Sequence, residues 1–287
     1  MMRKVLSAVA VLVLVSSMAA KNARTLDIYF IDVEGGQSTL IVTPQGESLL
    51  IDTGWPGYEG RDADRIVAAA KQAGLKRIDY VLITHYHRDH VGGVPQLAAK
   101  IPVGEYIDHG PNQEDTPVVR SDYKAYQETI AHSKHMVLKP GDTLPLKGVH
   151  LDVLSAAGEV ITTSLPGAGE ANPYCKSEPE AADDPTENAR SVGTLLTYGK
   201  FRFIDLGDLT KKKEIALMCP VNRVGTVDLF LVSHHGLDLS NSPALVDALH
   251  SRVAIIDNGA HKGAKPAAWQ TVHDSPGLQG LWQLHYA

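Results

Sequence analysis

Apolar and polar positions fall into short blocks along most of the chain, and their period sorts them into strands and helices. Leu26 to Val33 and Thr39 to Thr43 are strand-like runs on either side of Glu34-Gly35-Gly36-Gln37-Ser38, which predicts a hairpin. Ser48 to Ile51 is a third strand, running into Asp52-Thr53-Gly54. Asp62 to Ala73 has helical spacing, with acids in its first turn, Ile66, Val67 and Ala70 on one face and Gly74 past its end. Tyr80 to Thr84 reads as a buried strand. A short helix over Pro95 to Lys100, a strand over Gly104 to Asp108 and a helix over Ser121 to Lys134 follow. Hairpin strands are predicted near Met136 to Lys139, Asp142 to Pro145 and Val149 to Leu154, punctuated by Pro140-Gly141 and Lys147-Gly148.

Gly158 to Glu187 breaks the pattern. It is rich in Pro, Gly, Ala and acids (Glu170, Glu178, Glu180, Asp183, Asp184, Glu187), and a run of that length reads as a lid or as a solvated insertion tied down at Cys175. Strands return at Gly193 to Tyr198, Phe201 to Leu206, Thr226 to Ser233 and Arg252 to Asp257. One helix follows Thr210, with Lys211-Lys212-Lys213 on a solvated face; another opens at Ser242-Pro243, and a third covers Lys265 to Asp274. The chain stops at Trp282 to Ala287 without a closing polar tail, as a fragment short of its last element would. Strands alternating with helices predict an α/β fold.

Composition adds a leader and a charge balance. Met1-Met2-Arg3-Lys4, the apolar run Val5 to Val15 and Ser16-Ser17-Met18-Ala19-Ala20 form the three regions of a signal peptide over residues 1–20, cleaved after Ala19 or Ala20. The alternative is an uncleaved anchor, but the run falls short of the ~20 apolar residues that a spanning helix needs. No other stretch is apolar enough to span a bilayer. The expectation is a secreted or periplasmic protein, with residues 21–287 as a single domain around one large core or two stacked halves. In an oxidising compartment Cys175 and Cys219 either pair or stay free. Loss of the leader removes Arg3 and Lys4 and none of the 33 acids, so the mature chain is acidic. That disfavours a broad nucleic-acid-binding face and leaves only a local basic groove for such a partner.

The chemistry centres on His85-Tyr86-His87-Arg88-Asp89-His90, directly after a buried strand. Imidazoles two apart leave the strand end on the same side, while Gly92-Gly93 lets Asp89 and His90 turn toward a neighbouring point. Imidazole and carboxylate without thiolate select zinc first, with iron or manganese as alternatives, and one or two ions about 3.5–4 Å apart fit this spacing. A histidine-rich surface loop is the rival reading. Asp208, after Gly207 at a strand end, either bridges two ions or is a turn residue before Thr210. His234-His235-Gly236 ends the strand that starts at Thr226. Neighbours on a strand face opposite ways, so only one of the pair is expected to bind metal. His235 is the choice, with His234 behind it or carrying protons. His109, at another strand end, reads as a ligand, a substrate contact or a surface residue; His132, His135 and His150 lack ligand spacing. The aromatics of Trp55 to Gly60 wall a pocket or cap the core.

His85-x-His87-x-Asp89-His90 resembles the H-x-H-x-D-H signature of the metallo-β-lactamase superfamily. Asn188-x-x-Ser191-Val192 and His234-His235-Gly236 resemble its competence-protein (ComEC-like) branch, as does Asp32-Val33-Glu34-Gly35-Gly36-Gln37-Ser38 with its glycines and glutamine rearranged. The resemblance implies an αββα sandwich of two mixed β-sheets with metals at one edge. It makes Asp52 the carboxylate that orients a ligand histidine from behind, the rival being a turn aspartate before Gly54. Most members carry a ligand histidine where Asn188 stands. The first ion would then keep His85, His87, Asp208 and solvent unless His109 fills in, while Asn188 and Ser191 contact substrate or serve a turn and a packed hydroxyl. The implied activity is that of an exported zinc-dependent hydrolase using a metal-activated hydroxide, with Asp89 orienting it and taking its proton. A phosphodiester is the first substrate class, because the branch includes nuclease-like domains of DNA-uptake proteins and choline-phosphate esterases. Alternatives are a lactone, ester or β-lactam hydrolase, or a catalytically silent metal-binding module. The sequence does not fix an oligomeric state.

Overall fold

A computed structural model describes residues 25–177 and 181–286; the predicted leader, Glu178 and Glu180 lie outside the described residues. The first half runs β1 (Asp27–Phe30), β2 (Thr39–Val42), β3 (Ser48–Ile51), α1 (Arg61–Gln72), β4 (Ile78–Leu82), α2 (Arg88–Val91), α3 (Val94–Ala98), β5 (Val103–Asp108), α4 (Pro117–Ile130) and β6 (Lys134–Val137). The second half runs β7 (Thr143–Leu144), β8 (His150–Ala156), β9 (Glu159–Val160), β10 (Gly193–Tyr198), β11 (Phe201–Asp205), α5 (Lys211–Met218), β12 (Leu229–Leu231), α6 (Pro243–Leu249), β13 (Val253–Ile256), α7 (Pro266–His273) and β14 (Gly280–Gln283).

The six first-half strands form one sheet in chain order, antiparallel through β1-β2-β3 and parallel through β3-β4-β5-β6. The second sheet runs β14-β13-β12-β11-β10-β8-β7, with β9 paired to β8. It is parallel from β11 to β14 and antiparallel elsewhere. Both sheets are therefore mixed, as predicted. Ile41, Leu49, Ile51, Leu82 and Ile107 of the first meet Leu151, Val153, Leu196, Phe203 and Leu231 of the second in one buried layer. Outer layers lie under the helices: Ile66, Val67 and Tyr126 on the first sheet, and Leu217, Leu245 and Val272 on the second. Each fully buried aliphatic side chain of this kind contributes about 1.5–3 kcal/mol relative to exposure, so the inner layer fixes how the sheets face each other.

One local expectation fails. The run near Met136 does not make a hairpin with the next strand; β6 closes the first sheet in parallel with β5, and the chain then crosses at Pro140-Gly141 into the second sheet. Gly280–Gln283, a stretch to which the pattern assigns no element, forms edge strand β14 in register with β13. Cys175 and Cys219 are joined in a disulfide. Among the described residues, no helix is long and apolar enough to cross a membrane.

Candidate metal centre

The carboxyl ends of parallel strands in both sheets open onto one rim, the usual place for a site in α/β sheets. The loop after β4 brings His85, His87, Asp89 and His90 there, with His87 immediately before the short α2. The turn after β11 adds Asp208, and the turn after β12 adds His234 and His235. Close approach needs glycine at Gly36, where a Cβ would lie 2.5 Å from the Asp89 carbonyl oxygen. The same holds at Gly207, where it would press on Thr84 at 2.9 Å in a left-handed turn.

Two sets of ligand atoms each gather within 4.8 Å: Asp89, His90, His235 and Asp208 in one, His85, His87 and Asp208 in the other. Asp208 is common to both. Its Oδ2 lies 3.3 Å from His90 Nε2 and 3.8 Å from His85 Nε2, and its Oδ1 lies 3.4 Å from His235 Nε2. Asp89 Oδ2 stands 3.1 Å from His235 Nε2 and 3.4 Å from His90 Nε2. The expected site residues are thus brought together from both halves of the chain.

Each ligand-type imidazole meets a polar group with its far nitrogen. His90 Nδ1 is 2.7 Å from Asp52 Oδ2, and Asp52 also accepts from the Thr84 N–H at 2.8 Å and the Thr84 hydroxyl at 2.7 Å. Asp52 has a left-handed backbone, φ 61°, which costs energy in an L-residue and aims its carboxylate behind the ligands. His85 Nδ1 faces Thr84 Oγ1 at 3.0 Å and Ser191 Oγ at 3.4 Å; His87 Nε2 faces Glu114 Oε2 at 2.8 Å; His235 Nδ1 lies 3.2 Å from Asp257 Oδ1. Such outer partners fix the ring orientation of metal-binding histidines.

The electrostatics fit a cation. Burial opposes charge on every member, yet His90, Lys262 and His235 hold the Asp89 carboxyl well below the usual range, and His234, His90 and His235 do the same for Asp208. Against burial, Asp208, Asp89 and Asp52 raise His90 well above its ordinary value, and Asp208 and Asp257 push His235 up to about 10. Burial takes His85 well below the ordinary value, so it stays a neutral donor. Fields that draw protons onto two imidazoles also favour a metal cation. His85 Nε2 and Asp208 Oδ1 are buried without a hydrogen-bond partner, the kind of orphaned donor atoms that coordination satisfies. The residues present therefore fit one or two divalent ions.

The His234–His235 pair corrects the strand argument. Both lie past β12 in a tight turn with left-handed backbone, φ 57° and 55°, rather than on alternating faces of a strand. Both Nε2 atoms consequently reach Asp208, His234 at 3.4 Å from Oδ2. His109 does not fill in for the missing histidine: it is buried, with Nε2 2.8 Å from Glu187 Oε2. It is also no surface residue, because β5 lies between β4 and β6. Asn188 is buried, with Nδ2 3.5 Å from His234 Nε2; Ser191 Oγ accepts from the Asp208 N–H at 3.2 Å. Gln37 donates to both oxygens of Asp205, at 3.0 and 2.9 Å, and this buried carboxyl is pushed up to about 7 by its burial.

Sequence reasoning missed Glu114, Ser240, Asp257 and Lys262. Asp257 follows a strand end just as Asp52 does, a signal that was present; the others approach through loops with no pattern. The Lys262 ammonium contacts Asp89 Oδ2 and lies 5.2 Å from the centre of the Trp55 ring, which places Trp55 on the rim. Ala181 to Thr186, at the end of the aperiodic run, line a cavity of about 480 Å³ together with Asn188, Thr210 and Leu239. The run is both tied at Cys175 and adjacent to the site.

Residues 31–179 match the family model described as the metallo-beta-lactamase superfamily. ComE operon protein 3 of Bacillus subtilis (strain 168) is 24% identical over 81% of the chain and 28% of its own length. Recombination protein 2 of Haemophilus influenzae is 25% identical over 82% of the chain and 24% of its own length. The chain thus spans about a quarter of these relatives. The metallo-beta-lactamase fold protein YhfI of Bacillus subtilis has a similar structure, with TM-score 0.54 and 12% identity over 91% of this chain and 96% of that one.

Proposed function

The chain belongs to the metallo-beta-lactamase superfamily as a metal-dependent hydrolase, and from that premise we propose that it is an exported zinc enzyme acting on a phosphodiester. One observation carries the substrate class: the Lys262 ammonium stands beside Asp89, at the edge of two cation positions that share Asp208. With ions in both positions, they and Lys262 would outweigh the carboxylates of Asp89 and Asp208, which suits a substrate that is itself an anion more than a neutral ester. The similarity to competence and recombination proteins points the same way.

Asp89, His90, His235 and Asp208 would hold one ion, with His85, His87 and Asp208 holding the other. Bound there, zinc supplies a Lewis acid and brings the pKa of a coordinated water to about 7. Asp89 would orient the attacking water and take its proton. Lys262 offsets the negative charge of the substrate from the Trp55 side. Asp52, Glu114 and Asp257 keep the imidazoles aimed at the rim, and Asn188 stands at the wall of the neighbouring cavity, where a leaving group would rest.

Export rests on the leader at residues 1–20 and on the disulfide, which persists in oxidising compartments. The test is turnover by the zinc-loaded chain of a bis-aryl phosphodiester, single-stranded DNA, an aryl ester and a chromogenic cephalosporin. Cleavage of the phosphodiester, with or without DNA, is expected. Turnover confined to the ester or cephalosporin would move the assignment to carbonyl hydrolysis, and zinc binding without any turnover would make the chain a silent metal-binding module.

A further inference from the structure

The set formed by His85, His87 and Asp208 has one nitrogen fewer than a closed tetrahedral site, and the position from which the resemblance supplies it holds Asn188. A neutral amide is a weak donor to zinc compared with imidazole. The Asn188 side chain meets His234, whose Nε2 lies 3.5 Å from Asn188 Nδ2 and 3.4 Å from Asp208 Oδ2. His234 approaches Oδ2, the oxygen that faces both His85 and His90, whereas His235 faces Oδ1.

We propose that His234 supplies the missing nitrogen of the first ion position, so that adjacent histidines serve two different ions across one shared aspartate. This rests on the metal-binding reading above. Three further features support it. Left-handed backbone at two consecutive residues turns both imidazoles toward Asp208, a conformation rare in L-residues and concentrated at functional sites. The His234 N–H donates to the Gly207 carbonyl at 2.9 Å, tying this turn to the one that carries Asp208. His234 Nδ1 meets Ser240 Oγ at 3.2 Å, giving it the same arrangement as the other four imidazoles, one nitrogen on a polar partner and one toward the rim. The ligand atoms of His85, His87 and Asp208 gather within 4.8 Å, and His234 is in neither gathered set; a side-chain rotation is the step that would join it to the first.

The experiment is zinc titration of the full chain against a chromophoric chelator, with cobalt absorption as a second readout of coordination, both without substrate. The wild type is expected to take two ions. His234→Ala should take one, with the cobalt band of the lost position absent. Adding Asn188→His to His234→Ala should restore the second ion by returning a histidine to the alternative position. Ser240→Ala, a milder change that guards against misfolding of the alanine variant, should weaken one ion about 10-fold or more and leave the other unchanged. Two ions of unaltered affinity in His234→Ala would overturn the inference, as would failure of Asn188→His to restore the second. A single ion in the wild type that His234→Ala leaves unchanged would overturn it too, while leaving the hydrolase assignment standing. Only absence of zinc from the wild type would remove both.

Discussion

The two halves of the chain reach the same rim by different means. The first half delivers four donors from one loop, His85 to His90, directly after a central parallel strand. The second half delivers Asp208 and the histidine pair singly, from turns after two neighbouring strands, 26 residues apart. A contiguous loop divides its donors between the two ligand groups, His85 and His87 to one and Asp89 and His90 to the other, so loss of one donor touches one group. The dispersed set includes Asp208, which is common to both ligand groups, so its loss touches both. The difference teaches that the residue with the weakest local motif carries the widest responsibility.

That comparison can be broken by substitution. Asp208→Ala should have the largest effect, lowering metal content at both positions and turnover by about 10³-fold or more, as measured by mass spectrometry and phosphodiester hydrolysis. Retention of one tightly held ion would show that the halves are less interdependent than this. Asp89→Ala should cost about 10²–10⁴-fold in turnover, the range for losing a positioned proton acceptor, while circular dichroism reports an intact fold. Activity near wild type in the zinc-loaded variant would remove Asp89 from its proposed role. Asp52→Asn, which weakens the partner of His90, should reduce zinc affinity by about 10–100-fold without changing the ligand set. Glu114 meets one ligand histidine, the partly exposed His87, and also accepts the Glu187 N–H at 3.0 Å, so for Glu114→Gln a loss of about 10-fold or less, confined to one ion, is expected in the same titration.

The smallest effect sharpens the second half's side of the comparison. Glu214 is buried on α5 and accepts the N–H groups of Asn241 and Ser242 at 2.8 Å each, holding the segment that carries Ser240. Burial pushes its carboxyl from 4.5 to about 7. The folded chain therefore keeps a proton that the unfolded chain releases in that interval, so this group's contribution to stability declines as pH rises from 4.5 to 7 and is level above. Urea midpoints of the wild type should fall across that window relative to Glu214→Gln. Parallel pH profiles for the two proteins would show that the acid does not titrate there.

The same contrast explains what could be read in advance. His85, His87, Asp89 and His90 declare themselves because ligand spacing is written into consecutive positions, and Asp52 and Asp208 because each ends an apolar strand. That both His234 and His235 reach Asp208 is not legible in the strand's alternation, which stops at a turn whose left-handed backbone only the packing of Gly207 and Asn241 against it reveals. Glu114, Ser240 and Lys262 come to the site over loops, through contacts distant in sequence, and no periodicity encodes them. At the level of the fold, both sheets follow from strand patterns and resemblance. The membership of β6 depends on which neighbour buries it, a tertiary fact, and β14 is too short and mixed in character to stand out.

The bond between Cys175 and Cys219 joins residues 44 positions apart, and the stretch between them includes Asn188, β10, β11 and Asp208. Ala182, Asp183 and Pro185 lie exposed within it, open to proteolysis. A single cut there cannot release either fragment, because the bridge spans the break. Clipped molecules should migrate as one species until reductant is added, and the β10–β11 hairpin and the aspartate shared by both ion positions would stay attached to the body that the first half builds.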